Sequence, residues 1–449
     1  MSTSVWWIRR DIRLGDNGAL QSAAAAGTVV PLFVWEDNLL AGAGVFRRAF
    51  LFDALESLDD SVGRALIYRD GPAVTAVPEF CRLVGADTVH ITEDFAPWGR
   101  ARDAEVERAL AASGVRLVRA DTPYVIAPGT VRKDDGTPLK VFTPFYKRWL
   151  THRWSSFGDG AVEFADHRDL CAGPRRREGL QTASPVPAGE SAAWRRFDEW
   201  SSRAMDRYKD DRNNPALDGT SMMSPYLKFG VVHPRQLLDR LDATSGAEHF
   251  RSEIAWREFY ADVLFHQPRT AWENLQPKMD AIKVDTDDAA RERFAVFCRG
   301  ETGYPIVDAG IRQMLATGWM HNRVRMIVAS FLVKDLHLPW QWGARFFMEH
   351  LVDGDIASNN HGWQWTAGTG TDAAPYFRVF NPTSQGAKFD PSGDYVRSFV
   401  PELADVDSKH IHDPSGLGLL APAGYPAPMV DHAAERNEAL ARYKKVSGQ

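Results

Sequence analysis

Short apolar runs alternate with helix-like spacing over roughly the first 130 residues. Residues 5–8, 29–35, 65–68, 88–91 and 115–118 have strand length and a high β-branched content. Between them, residues 46–58 and 100–110 carry the three-and-four periodicity of helices. This order predicts right-handed crossovers and a doubly wound, Rossmann-like parallel sheet, an α/β domain over residues 1–130. The pattern then breaks. Pro123, Pro128, Pro138, Pro144, Pro174, Pro185 and Pro187, with a charged cluster at 175–178, mark an extended connector over 131–191. Within it, PLKVFTPFYKRW is expected to form a short ordered anchor. From Ala192 onward helical periodicity persists, predicting a large all-α domain over 192–449.

The densest chemistry lies between Gly303 and Gly386. Ile306, Ile311, Met314 and Leu315, then Val324, Ile327, Val328 and Phe331, predict two amphipathic helices flanking Trp319-Met320-His321-Asn322-Arg323. About a dozen residues further on hold two carboxylates (Asp353, Asp355), two amides (Asn359, Asn360) and two indoles (Trp363, Trp365). A buried helical core has no need of such a set. Each residue alone fits a capped helix beside aromatic core; together they suggest a pocket with a polar end and a stacking end.

Two further clusters bear on function. Asp218 to Pro225, DGTSMMSP, offers hydroxyls and free backbone N–H groups ahead of a helix, which suits either phosphate or a simple cap. In EIAWREFY, helical spacing puts Glu253, Trp256 and Arg257 on one face. No GxGxxG follows the first strand, so the common dinucleotide site is not supported.

Composition narrows the class. With 44% hydrophobic and 25% charged residues in 449, the chain can bury a large core, and no run of 18 apolar residues suggests a membrane span. The opening MSTSVWWIRRDIRL is not a secretory signal, so a cytoplasmic protein is expected. Cys81, Cys171 and Cys298 are scattered and no metal site is expected. A formal charge of −6 argues against a non-specific nucleic-acid coat but leaves room for a local basic face.

The string from Gly303 to Gly386 closely resembles the flavin-binding core of the DNA photolyase and cryptochrome family, most of all class I photolyases that repair cyclobutane pyrimidine dimers. The resemblance covers essentially the whole chain and is strongest from Tyr208 to Asp390. It implies light-driven repair of such dimers by electron transfer from photoexcited reduced FAD. Tyr208, Thr220, Ser221, Met222, Met223 and Ser224 match the family's grip on the FAD diphosphate and ribityl chain, with Arg257 on cofactor phosphate. Asp353 and Asp355 match groups near the isoalloxazine and ribose, Arg325 a partner of Asp353, and Asn359 the residue facing flavin N5. Glu253 would hydrogen-bond the pyrimidine carbonyls, and Trp256 and Trp365 would be the two walls of the lesion slot. Arg212, Asn322, Arg323 and Met326 match residues lining the lesion and its phosphates. Asn322 and Arg325 are also counted with the cofactor set.

Trp363 and Trp340 match the inner two members of a tryptophan chain that photoreduces FAD. The outer member should fall between positions 281 and 288, in AIKVDTDD, and none is present; either another aromatic residue such as Trp272 or Trp319 substitutes, or light-driven activation is inefficient. WWIRRDIRLGDNGAL resembles the opening of the antenna domain, with Arg10, Arg48 and Asp94 as candidates for a second chromophore or else solvated surface. APWGR at 96–100 favours an 8-hydroxy-5-deazaflavin type over a folate. The expected partner is UV-damaged DNA, single- or double-stranded, with the dimer flipped out of the stack, bound by a monomer without membrane association. The alternative is a cryptochrome-type blue-light receptor without repair activity, for which a lesion pocket would have no use. Repair of (6-4) photoproducts fits less well, since relatives use paired histidines there and His321 stands alone in its motif.

Overall fold

The computed structural model describes residues 2–170, 184, 186–371 and 378–447. Cys171 and the charged cluster at 175–178 lie outside the described residues. The chain forms two compact units, each assembled from three stretches. The first takes Met1–Arg203, Ser221–Pro268 and Val352–Ala357; the second takes Ala204–Thr220, Arg269–Leu351 and Ser358–Gln449.

The first unit is built on five parallel strands, β1 (Thr3–Ile8), β2 (Thr28–Trp35), β3 (Ile67–Asp70), β4 (Ala86–Thr92) and β5 (Arg116–Asp121), in the order β3-β2-β1-β4-β5. The register sets Val5 opposite Val30 on one side and Val89 on the other. Helices cover both faces, so the strands are nearly continuous in apolar residues, as parallel sheets require. On one face Val5, Trp7, Val30, Leu32 and Val89 pack with Val77 and Phe80 of the helix Ala73–Val84 and Val106 and Leu110 of the helix Pro97–Ala111. On the other, Ser4 Oγ donates to Ala23 O at 2.8 Å, tying β1 to the helix Gly18–Ala26. All five expected strands are present. The two edge strands differ from expectation, β3 beginning and ending two residues later and β5 running on to Asp121.

The anchor expected inside PLKVFTPFYKRW is the helix Phe142–Trp149, which packs on the helix Ser245–His266. Glu258 locks them together. It is 2% exposed and accepts from Val125 N, from Ile126 N at 3.1 Å and from the Trp149 indole at 2.7 Å.

Among the described residues, every regular element of the second unit is a helix. The two amphipathic helices are Pro305–Thr317 and Asn322–Ser330, the latter running into a π turn at Phe331–Asp335. Ile306, Ile311, Met314, Val324, Ile327, Val328 and Phe331 enter one core with the helix Trp340–His350. Leu315, expected on the same apolar stripe, is 36% exposed. The helix is buried on all sides from Pro305 to Ile311 and emerges only in its last turn, where Leu315 lies. No helix among the described residues is long and apolar enough to cross a membrane.

Candidate functional site

In the first unit a buried charge cluster surrounds the 352–357 stretch. Asp355 accepts from Arg10 Nη2 at 2.9 Å and from Ala357 N at 3.1 Å, and Lys228 Nζ lies 3.8 Å away. Asp353 Oδ2 accepts from Ser224 Oγ at 2.6 Å. Burial pulls Lys228 down to about 8, helped by the Arg10 cation. Burial likewise lowers Arg47 to about 10, against the pull of Asp353 and Asp355. Burial opposes the charge on Arg10 too, but Tyr124, Asp355 and Asp94 outweigh it and raise its pKa.

Ser221 to Ser224 leads into this cluster. Ser221 Oγ accepts from Met223 N at 3.3 Å, and Ser221 O accepts from Arg196 Nε at 3.2 Å. Met222 between them has φ +56°, a left-handed conformation that a non-glycine residue adopts only when its surroundings over-determine it. The helix that follows, Ser224–Phe229, is only six residues long. The polar groups gathered here are thus hydroxyls and the cations Arg10, Arg47 and Lys228 rather than the end of a long helix.

The helix Ser245–His266 carries Glu253, Trp256 and Arg257, all partly buried. Phe142 stacks on Trp256 with ring centres 3.7 Å apart and planes at 9°, so one indole face is covered. Arg257 Nη1 donates to Pro123 O at 2.9 Å and Nη2 to Leu227 O at 3.2 Å, and its guanidinium lies over the Tyr124 ring at 4.5 Å. Two of its nitrogens are thus bound to backbone, where the sequence reading gave it wholly to cofactor phosphate.

In the second unit, Asn359, Asn360, Trp363 and Gln364 project from the helix Ile356–Ala367 at helical spacing. Asn360 donates to Ala271 O and Gln364 Nε2 to Thr270 O at 2.9 Å, which fixes one face. On the next, Asn359 Nδ2 donates to Ala344 O at 3.0 Å and Asn360 Oδ1 at 2.8 Å. Since only the amide nitrogen can donate to a carbonyl, Asn359 Oδ1 is left as the outward acceptor. Trp363, 2% exposed, meets Phe347 edge-on at 4.9 Å and lies against Gly343. Trp340 is one turn before Gly343 on that helix; it is 4% exposed and its indole donates to Asn274 Oδ1 at 2.9 Å. Trp365 is half-buried. Of the suggested substitutes for an outer tryptophan, Trp272 is 43% exposed under the Arg345 guanidinium at 5.4 Å, and Trp319 packs edge-on to His321 at 6.2 Å.

Also in this unit, Arg323 donates to Asn213 Oδ1 through Nε (3.2 Å) and Nη2 (2.7 Å), touches Met326 Sδ at 3.6 Å and lies over Phe389 at 4.5 Å. Arg325 Nε donates to Met320 O at 2.8 Å, and Asn322 is exposed at the start of its helix. Arg212 lies over the buried Tyr208 ring at 5.6 Å, with Thr220 half-buried nearby in sequence.

Residues 4–161 match the family model described as DNA photolyase, and residues 250–445 match that of the FAD binding domain of DNA photolyase. The chain belongs to the DNA photolyase family. Its similarity to curated photolyases is full-length. It is 40% identical to the deoxyribodipyrimidine photo-lyase of Streptomyces griseus, covering 100% of each chain. It is 37% identical to that of Vibrio cholerae, covering 98% of this chain and 99% of the other. Among solved structures, a bacterial class III photolyase from Agrobacterium tumefaciens superposes with a TM-score of 0.90 at 34% identity, covering 100% of this chain and 98% of that one. The Synechocystis cryptochrome superposes at 0.89 and 25% identity, covering 98% of each.

The antenna candidates of this photolyase-family chain are not all gathered in one place. At the carboxyl ends of β1 and β4, where the strand order reverses and ligands settle in such sheets, Arg9 pairs with Asp103 at 2.6 Å and Arg102 with Asp103 at 2.8 Å. Asp94 lies 3.9 Å from Arg10 and 3.8 Å from Arg102. Arg10, however, is drawn closer to Asp355, and Arg48 Nε is buried without a partner among the described residues. Gly99 is required by Asp94, because a Cβ there would collide with that carboxylate. Trp98 is 41% exposed, its ring under the Arg102 guanidinium at 5.0 Å.

Several residues that shape the site carried no sequence signal. Arg47, Lys228, Tyr124 and Glu258 read as ordinary surface or core positions until partners distant in sequence surround them. Phe142 is 114 positions from the indole it covers.

Proposed function

We propose that this chain is a deoxyribodipyrimidine photo-lyase, splitting cyclobutane pyrimidine dimers in DNA in a light-dependent reaction with FAD. The observation that carries the reading is Trp256, partly exposed and held flat by Phe142 at 3.7 Å, one turn after the carboxyl of Glu253. The donor set suits the cofactor: hydroxyls and cations beside Ser221 to Ser224, carboxylates for sugar hydroxyls, and an oriented amide acceptor. Reduced FAD, when bound, supplies on excitation the electron that opens the dimer and recovers it afterwards.

The residues of the chain do the positioning. Tyr208 and Thr220 to Ser224 bind the diphosphate and ribityl chain, Asp353 and Asp355 hold the ribose side, and Arg325, Asn322 and Arg257 complete the cradle. Asn359 Oδ1 would accept a hydrogen bond from N5–H of the reduced ring without placing a charge there. Glu253 hydrogen-bonds the pyrimidine carbonyls and stabilises the dimer radical anion, Trp256 and Trp365 stack on the flipped dimer, and Arg212, Arg323 and Met326 line its surroundings. Extrusion is needed because a stacked base cannot reach a buried cofactor, and a damaged, poorly stacked step costs less to flip. Trp363 and Trp340 form the inner electron route. The candidate second chromophore is of deazaflavin type, for which Arg10 and Asp94, 3.9 Å apart, form one pair and Arg48 is a separate candidate; the division is a domain at 1–130, a connector at 131–191 and a cofactor- and DNA-binding domain at 192–449. The protein acts as a cytoplasmic monomer on single- or double-stranded DNA.

The test is direct. Reduced protein is incubated with dimer-containing single-stranded DNA, and dimer loss is compared in blue light and in darkness. Light-dependent loss is expected; equal loss in both, or none, removes the repair function and leaves the receptor reading. Glu253→Ala should slow splitting with flavin still bound. Loss of the yellow colour instead would show that its assigned role is wrong.

A further inference from the structure

Beside Trp340 the second unit contains a cavity of about 260 Å3. Met279, Leu338, Trp340, Ala367, Thr369 and Ala439 form its floor, each at least nine-tenths buried, while Asp280 and Lys283 are exposed at its rim. Thr369 Oγ1 is buried with no hydrogen-bond partner among the described residues. Its backbone is committed, N to Gln364 O at 3.0 Å and O to Gln276 N at 3.1 Å, so the hydroxyl is held in place. An orphaned buried hydroxyl in a cavity wall is the mark of a group that something else satisfies.

The lining also restricts what that something is. Two of the ionisable groups along the wall are paired already, His337 with Glu435 at 2.6 Å and Arg442 with Glu438 at 2.7 Å and Asp285 at 3.0 Å, and Asp280 and Lys283 stand at the exposed rim rather than on the floor. An apolar floor with one open hydroxyl selects a neutral ligand. An apolar cavity of roughly 150 Å3 takes a benzene, so this volume admits one or two fused rings.

We propose that this cavity binds a neutral one- or two-ring aromatic molecule carrying a single polar group, seated against the Trp340 indole with that group on Thr369. One side of the cavity is Ile282, Lys283 and Val284, from the same 281–288 stretch that holds no tryptophan. Resting on the reading of Trp363 and Trp340 as an electron route, the bound aromatic takes the place of the missing third ring. Oxidised FAD, when bound and excited, would be the acceptor of the electron that leaves Trp340 through Trp363, and the bound aromatic returns one electron to the Trp340 indole. Its N–H or O–H proton goes to water at the open rim, leaving a neutral aromatic radical.

Indole is a suitable probe, titrated by equilibrium dialysis against the FAD-loaded full chain. Saturable uptake of one indole per chain is expected. Thr369→Val should weaken it about fivefold, the value of one ordinary hydrogen bond, and Ala439→Leu, which fills the floor, should abolish it with circular dichroism and flavin content unchanged. No saturable uptake by the unmodified chain, or equal uptake by Ala439→Leu, overturns the site. In blue light, indole should speed bleaching of oxidised flavin in the unmodified chain and not in Ala439→Leu; binding without that acceleration overturns the electron-supply role. Dimer repair by pre-reduced protein, measured in parallel, is independent of indole, so its failure would count against the repair function and not against this site.

Discussion

Gly343 is where a single methyl group tests the packing of the inner electron route. It lies in the helix Trp340–His350, and a Cβ built there would sit 2.5 Å from Cζ3 and 2.7 Å from Cζ2 of Trp363, and closer still to Cη2. In an unobstructed helix, glycine to alanine stabilises by about 0.5–1 kcal/mol, because glycine loses more backbone freedom on folding. Forcing a methyl into packed core costs about 1–3 kcal/mol. Trp363 is 2% exposed with Phe347 against its edge, so it cannot simply swing aside. Gly362, in the helix that carries Trp363, supplies the control, since nothing lies within 4 Å of a Cβ there. Gly362→Ala should therefore gain stability while Gly343→Ala loses it, and the difference isolates the clash at about 1–3 kcal/mol. Urea midpoints measured at saturating FAD give that difference, because bound ligand otherwise shifts apparent stability. Gly343→Ala should also slow light-driven flavin reduction as Trp363 is displaced. Equal midpoints for the two variants would refute the packing argument.

Three further outcomes are expected. Burial pushes Glu258 up to about 7 from 4.5, so the folded state binds the extra proton between those values. Its stabilisation is complete below pH 4.5 and is lost as pH rises through 7, by about 3 kcal/mol in all. Glu258→Gln should flatten that slope in denaturation curves taken from pH 5 to 8, and an unchanged slope would assign the pH dependence elsewhere. Phe142→Leu removes the ring behind Trp256, worth about 1 kcal/mol as an aromatic pair, so affinity for dimer-containing DNA should fall about fivefold with flavin absorbance retained. Unaltered affinity would mean that Trp256 is held by other contacts. Ser224→Ala deletes the 2.6 Å bond to Asp353 and should weaken FAD retention about fivefold, read by dialysis.

What could be read in the sequence follows from which forces are local. The five strands were legible because a sheet covered on both faces leaves unbroken apolar runs. Their edges were less so: Arg69 and Asp70 in β3, and Arg119 to Asp121 in β5, are polar residues that an edge strand tolerates. The spacing of Glu253, Trp256 and Arg257 announced a shared face, but no periodicity could reveal that Pro123 and Leu227 occupy the Arg257 guanidinium. The helix Val45–Ser61 was foreseen, whereas its phase was not. It is Arg47, 9% exposed and beside Asp353 and Asp355, rather than the neighbouring Arg48, that enters the acid cluster. Buried charges such as Lys228 and Glu258 look like solvated ones until long-range pairing supplies their surroundings.

The interleaving of the two units along the chain limits how such a gene can be cut or recombined. A fragment ending at Arg203 would carry every strand yet lack Glu258, and would strand the Val125 and Ile126 amides and the Trp149 indole without their acceptor. The six-residue stretch Val352–Ala357 belongs to the first unit as well, so the same cut parts Asp355 from Arg10, its donor at 2.9 Å, although Asp353 keeps Ser224. Neither contiguous piece holds the whole of the first unit, so a division of the gene at that point divides a packed body rather than two modules.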